Sequence, residues 1–187
     1  MQQDVIFATS GLGPWLHPAP KLIFYTNKEN RHMLKWIKDI FSSPKPAGSP
    51  TVIKRFDGSE KIITKEVAVS SEGGWLVDVG ETQTISLFEI EISNIDNCML
   101  TYRADLKSKE VLGQGFLEMW CRMPGRGEFF SKGLQNALKG TNDWASYEVP
   151  FYLKRGQQPD LIKHNLTVEG RGKVWIKNLE LSYTPFE

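Results

Sequence analysis

Residues 140–151 read Gly-Thr-Asn-Asp-Trp-Ala-Ser-Tyr-Glu-Val-Pro-Phe, and residues 161–183 read Leu-Ile-Lys-His-Asn-Leu-Thr-Val-Glu-Gly-Arg-Gly-Lys-Val-Trp-Ile-Lys-Asn-Leu-Glu-Leu-Ser-Tyr. Runs of β-branched and aromatic residues broken by Gly, Pro and Asn are the signature of strands joined by turns. The pattern predicts a turn at 140–144 and strands at 144–153 and 161–169. It then predicts a hairpin tip at Gly170-Arg171-Gly172 and a last strand over 173–183.

The same signal extends upstream from this stretch. Strands are expected near 51–57, 60–69, 74–79, 84–92, 98–106, 114–123 and 127–131. Gly58, Gly73-Gly74, Gly80, residues 94–97, Gly125 and Gly140 supply the turns. No strand alternates with a long helical pattern, which argues against a parallel α/β sheet. Many short strands with turn chemistry predict an all-β chain, an antiparallel β-sandwich and most simply a jelly roll.

Ahead of the strands comes one amphipathic helix, expected at about 28–41. Thr26 and Glu29 fit a capping box, while Met33, Trp36, Ile37, Ile40 and Phe41 recur on one face. Ser42-Ser43-Pro44 stops it. Residues 44–50, Pro-Lys-Pro-Ala-Gly-Ser-Pro, read as a linker. The expected division is therefore an N-terminal segment of residues 1–50 and a sandwich domain of residues 51–187.

The chain has 187 residues, 40% of them hydrophobic, enough to bury one full core. Its formal charge is +1, with a local excess of +6 over residues 21–55 and −5 elsewhere. A solvated basic face explains that asymmetry, and nucleic acid is not an expected partner. No run of about 18 apolar residues is present, so no transmembrane segment is expected. No signal peptide is visible at the start. That leaves open a cytoplasmic protein or part of a larger exported or membrane-linked one. Cys98 and Cys121 show no metal-binding spacing; two buried thiols or one cross-strand disulfide both fit.

Candidate chemistry sits on two strands. Over 114–123, Leu117, Met119, Cys121 and Met123 face one way, while Phe116, Glu118, Trp120 and Arg122 face the other. Over 98–106, Cys98, Leu100, Tyr102 and Ala104 oppose Met99, Thr101, Arg103 and Asp105. If both strands share a sheet, its second face presents Trp120 with Glu118, Arg122, Arg103, Thr101 and Asp105. An aromatic plate ringed by charged donors and acceptors suits a sugar or other polyol. The ring's C–H face stacks on the indole and its hydroxyls pair with the charges. The same pattern also describes a partly covered tryptophan beside a cross-strand charge ladder.

The order of these motifs is similar to that of a family. A strand of Gly115-Phe116-Leu117-Glu118-Met119-Trp120-Cys121-Arg122-Met123 comes first, followed by Gly140-Thr141-Asn142-Asp143-Trp144. The series closes with Glu169-Gly170-Arg171-Gly172-Lys173-Val174-Trp175-Ile176-Lys177-Asn178-Leu179. Together these resemble an uncharacterised bacterial jelly-roll module related to carbohydrate-binding modules of the galactose-binding-like fold, over about residues 98–184. The resemblance implies a ligand on a concave face lined by Trp120 and Arg122. It also implies structural roles for Trp144, a turn anchor, and Trp175, a core aromatic. Relatives often hold a structural calcium near the position of Lys177-Asn178, and a lysine there argues against the ion. No other cofactor is expected.

Other signals are weaker. His17, His32 and His164 are too scattered for a metal trio. His164 keeps register with Ile162, Leu166 and Val168 and reads as a satisfied core histidine. Gly125-Arg126-Gly127 and Gly170-Arg171-Gly172 read as hairpin tips rather than phosphate loops. Glu89 and Glu91 read as outer-face carboxylates rather than a hydrolytic pair. Asn165-Leu166-Thr167 matches a glycosylation sequon, a chance match if the source is bacterial. The function expected is thus a non-catalytic binding module with a carbohydrate-like ligand at Trp120, Arg122, Arg103, Glu118 and Asn165. The competing expectation is a protein-interaction or sensory domain, with helix 28–41 docking a partner or a second copy.

Overall fold

The structure, a computed structural model, describes residues 45–65 and 67–187. These lie in the second of two units into which the chain divides, Pro44–Glu187. The helix expected over 28–41, and His17 and His32, fall outside the described residues.

Eight strands follow in order: β1 (Thr51–Phe56), β2 (Ala68–Val69), β3 (Trp75–Val79), β4 (Gln83–Glu91), β5 (Cys98–Met123), β6 (Gly127–Lys132), β7 (Leu138–Leu153) and β8 (Leu161–Pro185). A short 3₁₀ turn at Leu134–Asn136 joins β6 to β7. Every strand pairing is antiparallel. The fold is an all-β antiparallel sandwich.

Its frame is the long pair β5 and β8, paired from Cys98 opposite Pro185 to Arg122 opposite Leu161, with register shifts after Arg103 and after Lys109. Both strands bend at the same place. Glu110 and Gly113 of β5 take φ of +54° and +112°, and Gly170 and Gly172 of β8 take +100° and +145°. A Cβ on Gly113 would lie 1.9 Å from the Glu169 carbonyl oxygen, and one on Gly170 would lie 1.8 Å from that of Leu112. Two backbones this close leave room only for glycine. Gly170-Arg171-Gly172 is therefore not the hairpin tip that its composition predicts. It is the fold line of one continuous strand.

Beyond the bend the pair doubles back, and two layers result. The first holds β1 and β3 on the C-terminal half of β8, then the N-terminal half of β5, then β7. The second holds β4 on the N-terminal half of β8, then the C-terminal half of β5, then β6. Aromatic contacts show the layers facing each other. Phe56 of the first stacks on Phe88 of the second at 4.2 Å, and Tyr102 meets His164 edge-on at 4.8 Å. Cys98, Leu100, Tyr102, Ala104 and Leu106 fill the core from one layer; Leu117, Met119, Cys121, Ile162, Leu166 and Val168 fill it from the other.

Several expectations change in detail. The strands expected at 98–106 and 114–123 are one strand, as are those at 161–169 and 173–183. Residues 140–144 lie inside β7, where register shifts against β5 near Ser108 and Val111 mark bulges rather than a turn. Of 60–69, only Ala68–Val69 forms a strand. Ile63 and Thr64 instead donate backbone N–H groups to Leu87 and Ser86 at the β4 bulge. Lys45 to Ala47, within the stretch that reads as a linker, hydrogen-bond the chain end: Ala47 N–H donates to the Pro185 carbonyl at 2.7 Å.

Candidate functional site

The bend decides which candidate residues meet. Trp120, Glu118 and Arg122 lie on the outer side of the second layer, and Asn165 of β8 stands directly opposite Glu118. Arg103 lies on the outer side of the first layer, on the opposite face of the sandwich. The grouping of Arg103, Thr101 and Asp105 with Trp120 is therefore corrected. It assumed two neighbouring strands where the chain has one strand folded over. Arg103 pairs with Glu148 across β5 and β7 at 2.8 Å, an exposed rung of a charge ladder.

Around Trp120 the second layer builds a defined patch. The indole is half-buried, and its Nε1–H donates to the carboxylate of Glu118 two residues before it. Glu118 is itself buried, at 4% exposure, and held from three sides. The other two partners are the Lys132 ammonium at 3.3 Å and the Thr167 hydroxyl at 3.4 Å. These contacts fix the indole in one orientation. Phe130 of β6 stands beside it, ring centroids 4.9 Å apart and tilted by 41°. The Phe130 side chain is more than half exposed. Sequence reasoning missed Phe130 because β6 reads as an ordinary edge strand. Its register opposite Trp120 is visible only once β6 pairs with β5.

The rim of the patch is polar. Lys163 of β8, opposite Trp120, pairs with Glu128 at 2.6 Å. Arg122 makes a bidentate contact with Asp160, at 2.8 and 3.0 Å, beside a hollow of about 440 Å³ shared with Glu91 and Ser93. That contact lowers the Asp160 carboxyl below the usual carboxylate range. Glu89 and Glu91 are exposed at the edge of the same face. Phe116, expected to face outward with Trp120, is buried at 1% exposure, with the Lys132 ammonium 5.8 Å from its ring centroid.

The motif tryptophans of the first layer have different surroundings. Trp144 takes Lys177 over its ring at 4.0 Å and donates its Nε1–H to Glu72 at 3.3 Å. Trp175, a core aromatic by the resemblance, is not in the core. It is half-exposed on the outer face, opposite Lys107. Lys177 thus presents a cation, and Asn178 turns its amide N–H to Asp105 at 2.7 Å. Calcium requires several converging hard oxygens, and this donor set does not fit it.

His164 is fully buried between the layers. Its Nδ1 lies 3.4 Å from the Phe88 carbonyl, while its Nε2 has no partner among the described residues. It is a core histidine but only half satisfied, and burial lowers its pKa to about 4. Cys98 and Cys121 are free and buried, and burial pushes both thiols up, to about 11 and about 12.

No protein-family model and no curated protein matches the chain. Solved structures similar to it include the CBM22-1 xylan-binding domain of Xyn10C from Paenibacillus barcinonensis. That likeness has TM-score 0.48 and 9% identity and covers 75% of this chain and 99% of the other. A family 16 carbohydrate-binding module is similar at TM-score 0.42 and 14% identity, covering 62% and 80%. The Stig cyclase Fisc from Fischerella sp. TAU is similar at TM-score 0.46 and 15% identity, covering 76% and 81%. The similar structures thus include both carbohydrate-binding modules and an enzyme.

Proposed function

We propose that this domain is a non-catalytic binding module that takes a carbohydrate-like ligand on the outer face of its second layer. The observation that supports this most is the fixed aromatic pair. Trp120 is locked by a buried carboxylate, and Phe130 beside it is left half in water. Burying that apolar surface against the C–H face of a sugar ring is favourable. Lys163, Glu128 and Arg122 stand on the same face to meet its hydroxyls, while Asn165, opposite Glu118, is buried at 8% exposure. Glu118 acts as a positioning residue for the indole.

Tryptophan fluorescence titrated with a panel of neutral oligosaccharides tests this reading. Saturable quenching by at least one of them is expected. Trp120→Ala and Phe130→Ala should each weaken binding at least tenfold, about 1.4 kcal/mol, with far-UV circular dichroism unchanged. A flat response across the panel would favour a protein partner instead. For that reading the exposed Phe129, Phe130 and Leu134 are the specific observation.

A further inference from the structure

A second aromatic patch lies on the opposite face of the sandwich, where β5 and β8 approach their bend. Three cross-strand pairs follow one another there: Lys107 opposite Trp175, Lys109 opposite Lys173, and Leu112 opposite Arg171. One half-exposed indole is thus followed by a run of cations on two adjacent strands. Lys107 sits 5.3 Å from the Trp175 ring centroid and is matched by Glu72 at 2.9 Å, and Lys173 is matched by Asp78 at 2.5 Å. Lys109 and Arg171 are exposed and have no ion-pair partner among the described residues. Of the like-charged pair Lys109 and Lys173, Asp78 answers Lys173, which leaves Lys109 the cation of the pair without an ion-pair partner among the described residues.

Two hollows meet at this strip and share Lys109 and Glu110. One, of about 610 Å³, is lined by Trp175, Lys107, Lys109, Glu110, Asn142 and Asp143, among others. The other, of about 440 Å³, adds Arg171, Lys173 and the Asp78 that pairs with Lys173. The wall between β5 and β7 is fixed by buried Ser108, which donates to the Gly140 carbonyl at 3.0 Å and accepts from the Asn142 side-chain amide at 3.1 Å. Glu110 is held at positive φ, its N–H given to Thr141 Oγ1 at 3.0 Å.

We infer that this strip is a separate binding site for an acidic oligosaccharide, one bearing carboxylate or sulfate groups. Trp175 takes a ring face, Lys109 and Arg171 take the anionic groups, and Glu110, Asn142 and Asp143 take hydroxyls. A lone indole in the hollow fits a single ring of a short acidic sugar better than successive bases of a nucleic-acid strand. Nucleic-acid channels present several stacking platforms along an unbroken basic groove.

The test is calorimetric titration of the full chain with tetragalacturonate and with a chondroitin sulfate tetrasaccharide. Neutral xylotetraose and an oligothymidylate run beside them. Saturable binding of at least one acidic tetrasaccharide is expected, at least tenfold tighter than either control and weakened by added salt. The double variant Lys109→Gln/Arg171→Gln, which alters only exposed side chains, should lose at least tenfold. Trp120→Ala should leave this binding unchanged, so the outcome is independent of the site on the other face. Absence of acidic-sugar binding, equal or tighter binding of oligothymidylate, or indifference to the double variant would overturn the inference. Loss of binding in Trp120→Ala would also overturn it, by assigning the acidic sugar to the other layer.

Discussion

The two outer faces of this sandwich are built from the same two strands and yet differ in chemistry. On the second layer, Trp120 is tied through its indole N–H to a buried carboxylate and flanked by Phe130. On the first, Trp144 and Trp175 are met by lysine ammonium groups, at 4.0 Å from Lys177 and 5.3 Å from Lys107. One tryptophan is oriented by an acceptor and left open beside a second ring. Trp144 and Trp175 each have a lysine ammonium near one ring face, and the Lys107 ammonium is answered by Glu72. The difference teaches that a tryptophan in a strand pattern carries no fixed meaning. Its partners across the ladder decide whether it is a platform or a clamp.

That contrast depends on the bend, so breaking the bend has the largest expected effect. Gly113→Ala would drive a Cβ into the Glu169 carbonyl at a backbone held to positive φ. It should cost ~3 kcal/mol or more, measured as a shift in the urea midpoint. A loss under ~1 kcal/mol would mean that the two strands can part there, and that the faces are less rigidly opposed than described.

The shared core gives the next effect. The unfolded chain binds a proton on His164 near pH 6.5, whereas the buried ring does so only near pH 4. Between these values the unfolded state holds more protons, so stability falls as pH drops through that window, by about 3 kcal/mol in all. Denaturation at pH 7 and pH 4 should show this loss in the wild type, and His164→Phe should remove most of it. An unchanged slope in the variant would place the acid sensitivity of this window elsewhere than at His164.

The smallest effect sharpens the comparison between the faces. Arg103 and Glu148 are each about half exposed, so Arg103→Ala should cost no more than ~0.5 kcal/mol. It should also leave any ligand response of Trp120 untouched. A Trp120 response that falls in this variant would mean that the two faces communicate through β5.

Much of the fold was legible in the chain. Alternation along 114–123 places Leu117, Met119, Cys121 and Met123 inside, and the structure agrees, because a pleated strand sends successive side chains to opposite sides. The same rule places Glu118, Trp120 and Arg122 together, and Asn165 joins them by register. Phe130 was hidden because pairing to an edge strand is a long-range fact. Arg103 was misplaced for a related reason: alternation says which side of a strand a residue faces, but not which layer that strand has reached.

By itself, the sequence determined the all-β character, the antiparallel strands and the apolar side of each. Those follow from local periodicity and turn chemistry. Tertiary structure alone decided that Gly113 and Gly170 to Gly172 mark a fold line instead of a hairpin, since a glycine that permits a turn and one that permits two backbones to touch read alike. It also decided that Trp120 and Trp175 look out from opposite faces. That assignment depends on how a 26-residue strand bends and on what its neighbours contribute, and no local pattern carries either.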